Sequence, residues 1–223
     1  MIGIVIAMEK EAKYLTRVAE INIETSLADK KVFEGKFAGK EFVLIISGIG
    51  KVNASIGTQI LIDKYDIEYV INIGGAGARS YSNLKAGDMV IIKEAFQFDF
   101  DLSEIDNVEV GYMQDYDRTY YPTDYQKYIG NNLKIATCAT GDRFTQKEEF
   151  NSIIKNLNGQ VVEMECAAIA QTCLANSIPL FILKVITDVE GEDSNIFEQY
   201  YKNIHNVFER IPEAIQELLE NKL

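Results

Sequence analysis

The pattern of this chain predicts an α/β fold: a three-layer α/β/α sandwich around a mixed, partly closed sheet. Three observations carry that expectation. A continuous apolar run at 2–7 and largely apolar ones at 69–73 and 180–186, each broken by a single polar residue, have the pattern of strands covered on both faces. Between the strand-like runs lie longer stretches with apolar residues three and four apart, the period of an amphipathic helix. The strand-like segments also outnumber those a simple doubly wound sheet would use, so the sheet is expected to be mixed and to curl.

Taken in order, 2–7 is the first core strand. A helix follows, with Met8, Ala12 and Leu15 on one face and with Glu9 and Glu11 at the positive end of its dipole. Strands at 32–37 and 41–47 flank Ala38-Gly39-Lys40, a hairpin signal. A helix is expected over 51–65, and a short buried strand over 69–73 that ends in a loop of small residues, Gly74-Gly75-Ala76-Gly77. Strands are expected at 89–92 and at 95–102, the latter alternating Phe96, Phe98, Phe100 and Leu102. Further strands at 134–140, 160–163 and 179–187 enclose a helix at 166–175. The tail from 196 to 219 keeps helical spacing, with a kink expected at Pro212. No repeat or linker divides the chain, so residues 1–223 are expected to form one domain.

Composition narrows the function. With 47% hydrophobic and 25% charged residues the chain reads as soluble and globular. Its net charge of −12 argues against nucleic acid and anionic membranes as partners. Cys138, Cys166 and Cys173 form no CxxC pair and fit a reduced cytoplasm as small buried side chains. The apolar start is too short for a membrane span and has no basic segment before it, so a cytoplasmic location is expected. The single histidine, His205, has neither a Cys nor another His nearby, so no metal or other cofactor is expected.

Four segments at strand ends hold the chemistry: Ala7-Met8-Glu9-Lys10-Glu11, Ser47-Gly48-Ile49-Gly50-Lys51, Val162-Glu163-Met164-Glu165 and Ile186-Thr187-Asp188. In open α/β sheets ligands sit at the carboxyl ends of strands. Gly48-Ile49-Gly50-Lys51 lacks the Walker A spacing and reads either as a tight turn or as a close approach of backbone to a ligand. Glu163 and Glu165 either favour a helix N-terminus or accept bonds from paired hydroxyls such as those of a ribose. Asp188 is either a turn aspartate or, if burial raises its pKa, a proton donor to a heterocycle. Phe144 is either a core residue or a stacking platform for a flat base.

In matching order over nearly the whole chain, these segments resemble the 5'-methylthioadenosine/S-adenosylhomocysteine nucleosidases of the purine nucleoside phosphorylase superfamily. The likeness also takes in Asn72-Ile73-Gly74-Gly75-Ala76-Gly77, Ala86-Gly87-Asp88, Thr140-Gly141-Asp142-Arg143-Phe144 and Cys166-Ala167-Ala168. The resemblance implies that Glu11 helps to activate the attacking water and that Asp188 protonates N7 of adenine and holds N6. It implies that Met164 and Glu165 bind the ribose, that Phe144 stacks on the base and that the backbone of Thr145 reads its edge. It places Met8, Ile49 and Phe197 at the 5'-alkylthio group, with Leu102 and Ile105 supplied by the neighbouring subunit of a homodimer. The small-molecule partner it implies is a nucleoside.

The sequence departs from that family at several points. Ile6 stands in place of a usual Gly, and Gly75 in place of a Ser near water and base. Lys184 stands in place of an Arg beside the water, which keeps the charge and loses the planar fork. The segment Phe98-Asp99-Phe100-Asp101 keeps two aspartates of the family pattern without its His. Three other functions are compatible with the residues: a purine nucleoside phosphorylase, a hydrolase of another 5'-substituted nucleoside such as a futalosine, and a nucleoside-binding protein without activity. Against phosphorolysis, Asn72 occupies the position of an Arg in related phosphorylases.

Overall fold

The computed structural model describes residues 1–127, 133–144, 148–191 and 195–222. The first strand is β1 (Ile2–Ile6), followed by helix α1 (Glu9–Thr16). Strands β2 (Glu20–Leu27), β3 (Lys30–Phe37) and β4 (Lys40–Ile46) lead to helix α2 (Lys51–Lys64). Then come β5 (Tyr69–Ala78), β6 (Met89–Gln97), the short helix α3 (Ser103–Asp106), β7 (Tyr121–Pro122) and β8 (Lys134–Thr140). Helix α4 (Glu148–Asn156), β9 (Val161–Glu163), α5 (Cys166–Asn176), β10 (Leu180–Val189), α6 (Ile196–Phe208) and α7 (Ile211–Lys222) complete the chain.

One ten-stranded sheet runs β10-β6-β8-β9-β5-β1-β4-β3-β2, with β7 paired to β6 off this path, and β10 also pairs with β5. That extra pairing closes β5, β10, β6, β8 and β9 into a ring, while β1 to β4 extend from it as an open sheet. The central pairs β4–β1, β1–β5 and β5–β10 are parallel. The β2–β3–β4 wing is antiparallel, as is the β5–β9 seam that closes the ring. The mixed, partly closed sheet expected from the sequence is therefore present.

Each face of the sheet has its own core. Ala54 and Leu61 of α2 and Ala167, Ile169 and Cys173 of α5 pack on one side. Leu15 of α1, Val207 and Phe208 of α6, and Ile211, Ile215 and Leu218 of α7 pack on the other. Because both faces are covered, β1 and β10 are buried at every position, which is why β1 reads as an unbroken apolar run and β10 as a largely apolar one broken by Lys184, Thr187 and Asp188. Among the described residues, no helix is long and apolar enough to cross a membrane.

Three local expectations need correction. Gly74-Gly75-Ala76-Gly77 is no loop: β5 continues through it to Ala78, paired in parallel with β10. The strands expected at 89–92 and 95–102 are one strand that ends at Gln97. Phe98 still donates its N–H to Thr140 O, but its ring fills the space above Gly141, and the chain turns away there. Pro212 does not kink a helix. It sits in the first turn of α7, where a missing N–H leaves no bond unmade.

Candidate active site

At the carboxyl ends of β1, β5, β9 and β10 lies a cavity of about 360 Å³. Its wall includes Met8 and Glu11 from the start of α1, Ile49 from the turn before α2, and Asn72 to Gly77 of β5. Glu163, Met164 and Glu165 come from the β9–α5 junction, and Lys184, Thr187 and Asp188 from β10. Phe144 and the α6 residues Phe197, Tyr200 and Tyr201 close its mouth.

Glu11 is the third residue of α1 and reaches back to the start of the helix. Its Oε2 accepts the N–H of Met8 at 3.1 Å, the bond a capping glutamate makes. Its Oε1 accepts the N–H of Gly75, also at 3.1 Å, so the carboxylate is fixed between α1 and β5. Burial raises its pKa, and the Gly75 N–H and the charge of Lys184 hold that rise back.

Asp188 faces the cavity from β10. The Thr187 hydroxyl lies 2.6 Å from its Oδ1. Burial raises its pKa against that bond, which favours the protonated carboxyl a general acid needs. The backbone beneath it is held by α6: Gln199 accepts from Val189 N and donates to Val189 O, and Asn203 donates to Thr187 O.

The glycines of β5 make room for both acids. A Cβ on Gly74 would stand 3.0 Å from Glu11 Oε1, and one on Gly77 would stand 2.8 Å from Asp188 Oδ2. Gly75 answers to a different neighbour. A Cβ there would meet Thr187 Cγ2 at 2.9 Å and the Phe208 ring at 3.2 Å. The Thr187 methyl and the Phe208 ring fill the space a serine would need, so the departure at Gly75 is matched by its surroundings. Gly75→Ser is accordingly expected to destabilise the fold by about 1–3 kcal/mol through overpacking. A urea titration checks this, and an unchanged midpoint would mean that the core yields at this position.

The cavity wall also holds a buried charge cluster. Glu163 Oε2 pairs with Lys184 Nζ at 3.2 Å, with both side chains at most 3% exposed. The same oxygen accepts the N–H groups of Glu165 and Cys166 at 2.8 Å, the free donors at the start of α5. Glu163 Oε1 accepts the Thr140 hydroxyl at 2.6 Å. Burial alone would raise the pKa of Glu163, but Lys184, Thr140 and the two N–H groups together hold it low. Lys184 stays protonated: burial pulls its pKa down, and Cys166, Glu163 and Glu165 push it well above the ordinary value. Glu165 accepts the Gly50 N–H at 2.9 Å, and burial followed by the charge of Glu163 pushes its pKa up to about 8.

That rise has a consequence for stability. A carboxyl raised in the folded state stabilises the fold fully below its unfolded pKa and loses that contribution as pH rises through the folded value. Thermal stability should therefore fall between about pH 5 and pH 8 on account of Glu165. Glu165→Gln should flatten that fall. Parallel slopes for the two proteins would place the ionisation elsewhere.

Of the residues expected at the site, Met8, Glu11, Ile49, Gly75, Phe144, Met164, Glu165, Lys184, Asp188 and Phe197 all line this cavity. Phe144 and Phe197 stack on each other across its mouth, with centroids 4.7 Å apart and planes at 30°. Thr145 lies outside the described residues. Leu102 and Ile105 do not line the cavity, and Ile105 is exposed.

Sequence reasoning did not single out Lys10, Thr187, Tyr200 or Tyr201 as site residues. Lys10 Nζ bonds the Tyr200 hydroxyl at 2.6 Å, which ties α1 to α6. The tyrosines lie in the apolar stripe of a helix, where nothing local distinguishes a lining residue from a core one. His205 serves α1 as well, with Nδ1 3.1 Å from the Tyr14 hydroxyl.

Comparison with known proteins gives a concordant picture. A family model of the phosphorylase superfamily matches residues 1–220. A 5'-methylthioadenosine/S-adenosylhomocysteine nucleosidase from Buchnera aphidicola is 34% identical over 230 residues, covering 99% of this chain and 97% of the relative. The crystal structure of such a nucleosidase from Colwellia psychrerythraea, in complex with adenine, superposes with a TM-score of 0.86. It is 29% identical, over 99% of this chain and 95% of that one. Another, from Streptococcus pneumoniae with the transition-state inhibitor MT-ImmA, gives a TM-score of 0.85 at 26% identity, over 99% of this chain and 98% of that one. The chain thus belongs to the phosphorylase superfamily and, within it, to the 5'-methylthioadenosine/S-adenosylhomocysteine nucleosidases.

Proposed function

We propose that this protein hydrolyses the N-glycosidic bond of 5'-methylthioadenosine and S-adenosylhomocysteine, yielding adenine and the matching thioribose product. The observation that carries the reading is one cavity holding two separately fixed acids, Glu11 and Asp188, together with a buried Glu163–Lys184–Glu165 cluster. Water attacks C1' of the ribose while Glu11 takes its proton. The C1'–N9 bond breaks, its electron pair passes into the purine, and Asp188 delivers a proton to N7. Without that proton the base would leave as an anion. Positive charge developing on the ribose is stabilised by the carboxylates around it, and Glu165 holds the ribose hydroxyls. Met164 lies under the sugar, Phe144 against the base, and Met8, Ile49 and Phe197 around the 5' substituent.

The same geometry disfavours phosphorolysis. A phosphate dianion is best held by free cations, bidentate ones above all. Asn72 is buried and donates to Val5 O, Lys184 is paired with Glu163, and Arg79 is paired with Glu190.

The reading includes a homodimer, with residues 1–223 acting as one unit. Ile49, Val52 and Ile56 stand exposed on one face at the start of α2, and Ile105 is exposed as well. In the dimer Leu102 and Ile105 reach the 5' end of the second copy's cavity.

The test is release of free adenine from 5'-methylthioadenosine in phosphate-free buffer, repeated with phosphate. Release at the same rate in both, with methylthioribose as co-product, is the expected outcome. Strict dependence on phosphate would make the protein a phosphorylase.

A further inference from the structure

Asp188 sits where the sheet stops supporting β10. On one edge β10 pairs with β6 only from Leu183 to Val185. Ile186 makes the last backbone bonds there, accepting from Gly87 N and donating to Asp88 O. On the other edge the pairing with β5 slips. Ile186 stands opposite Ala76 and Asp188 opposite Gly77, so Thr187 is one residue too many. Such a bulge bends a strand, re-aims its side chains and disrupts the ladder that would hold them. The acid is therefore the first residue after a bulge, on a strand end whose outer edge has no neighbouring strand among the described residues.

Helix α6 stands where that neighbour would. Gln199 is buried, and its side-chain amide does what the backbone of a strand does. Its Oε1 accepts Val189 N–H at 2.9 Å and its Nε2 donates to Val189 O at 3.0 Å. One helical turn on, Asn203 Nδ2 donates to Thr187 O at 2.8 Å. Residues two apart in a strand turn their N–H and C=O to the same side. Gln199 and Asn203 therefore bracket Asp188 from the edge that the sheet leaves open, while Glu190 N, of opposite phase, bonds Ala78 O on the β5 side.

The aim matters because the slot for the carboxyl is narrow. Thr187 Oγ1 lies 2.6 Å from Asp188 Oδ1, and a Cβ on Gly77 would stand 2.8 Å from Oδ2. A misplacement of about 1 Å at a reacting group costs on the order of 10²-fold in rate. We propose that Gln199 and Asn203 are positioning residues for the general acid, so that α6 rather than the sheet aims Asp188 at the base. The proposal rests on the nucleosidase reading given above. Neither side chain lines the cavity. Both act through the backbone on either side of Asp188, and the bonds made and broken at C1' and N7 stay the same.

The test compares Gln199→Leu and Asn203→Leu with the unsubstituted full-length protein on two substrates. The base of 5'-methylthioadenosine needs a proton to leave, and the nitrophenolate of a nitrophenyl 5-methylthioriboside does not. On the first, kcat should fall by about 10–100-fold while KM stays within about threefold. On the second, both variants should keep their rate within about threefold. In the Asp188→Asn protein, Gln199→Leu should cost nothing further, because a residue that acts only through Asp188 has nothing left to aim. Equal losses on both substrates would make α6 a prop for the whole site, and the inference falls. It falls too if Gln199→Leu still lowers kcat in the Asp188→Asn protein, or if both variants turn over 5'-methylthioadenosine at the unsubstituted rate. In each of these cases the nucleosidase reading stands. If the unsubstituted protein releases no adenine, both fall together. Should Gln199→Leu not fold, Asn203→Leu, at a half-buried position, decides by the same comparison of substrates.

Discussion

Replacing Asp188 by Asn should lower kcat by about 10²–10⁴-fold, the range a positioned general acid supplies, while KM changes little. Asn is nearly isosteric, so it fits beside Gly77 and can still accept from Thr187; what it cannot do is deliver a proton to N7. Glu11→Gln should cost a similar factor for the opposite reason, because an amide cannot take the proton of the attacking water. A substrate with a good leaving group separates the two roles. A nitrophenyl thioriboside departs without protonation, so D188N should recover most of its activity on it and E11Q should not. Equal recovery by both variants would contradict this division of labour, and retention of full activity by either would remove that residue from the mechanism.

The pH profile follows from the same pair. The base must be ionised and the acid protonated, and burial raises the pKa of both. The acid limb of kcat/KM is therefore set by Glu11 above the ordinary glutamate range, and the alkaline limb by Asp188 above the ordinary aspartate range. The Gly75 N–H and Lys184 restrain Glu11, whereas Asp188 has only the Thr187 hydroxyl to restrain it, and this asymmetry keeps a working window open.

Most of this site was legible because its residues sit where strands end, and strand ends are marked by a change from apolar run to carboxylate. Glu11, Glu165 and Asp188 were found that way, with the family resemblance supplying their roles. The strand β2 left little trace: it is an edge strand, exposed along most of its length, and its polar sequence EINIETSL lacks the apolar run of the buried strands. Helix α4 is short, and its buried Ile154 packs under Phe96 and Phe98 in a separate small cluster. The glycines at 74–77 were misread because glycine is depleted in strands. Their purpose is spatial, and only the positions of Glu11, Thr187 and Asp188 across the strand reveal it. The Arg79–Glu190 pair joins residues 111 apart in sequence, which no local pattern can bring together.

Glu163 is where the largest loss of stability is expected. Removing one partner of a buried ion pair costs about 3–5 kcal/mol, because the other charge is left without compensation. Glu163→Ala should reach that range, since it abandons Lys184, whose one ion pair among the described residues is with Glu163. It also abandons the Thr140 hydroxyl and the first N–H groups of α5. Lys184→Met should cost less, because Glu163 keeps those three donors and a helix N-terminus to hold its charge. If the lysine variant proves the less stable of the two in guanidinium titration, the helix start and Thr140 are contributing little, and Lys184 is the true anchor. In activity the order should reverse in kind. The charge of Lys184 lowers the pKa of Glu11, so K184M should leave a folded enzyme whose acid limb moves to higher pH. An acid limb that stays in place would show that burial, the Gly75 and Met8 N–H groups and Lys10 set the ionisation of Glu11 without Lys184. In that case the substitution of Lys for Arg at this position has no bearing on how the water is activated.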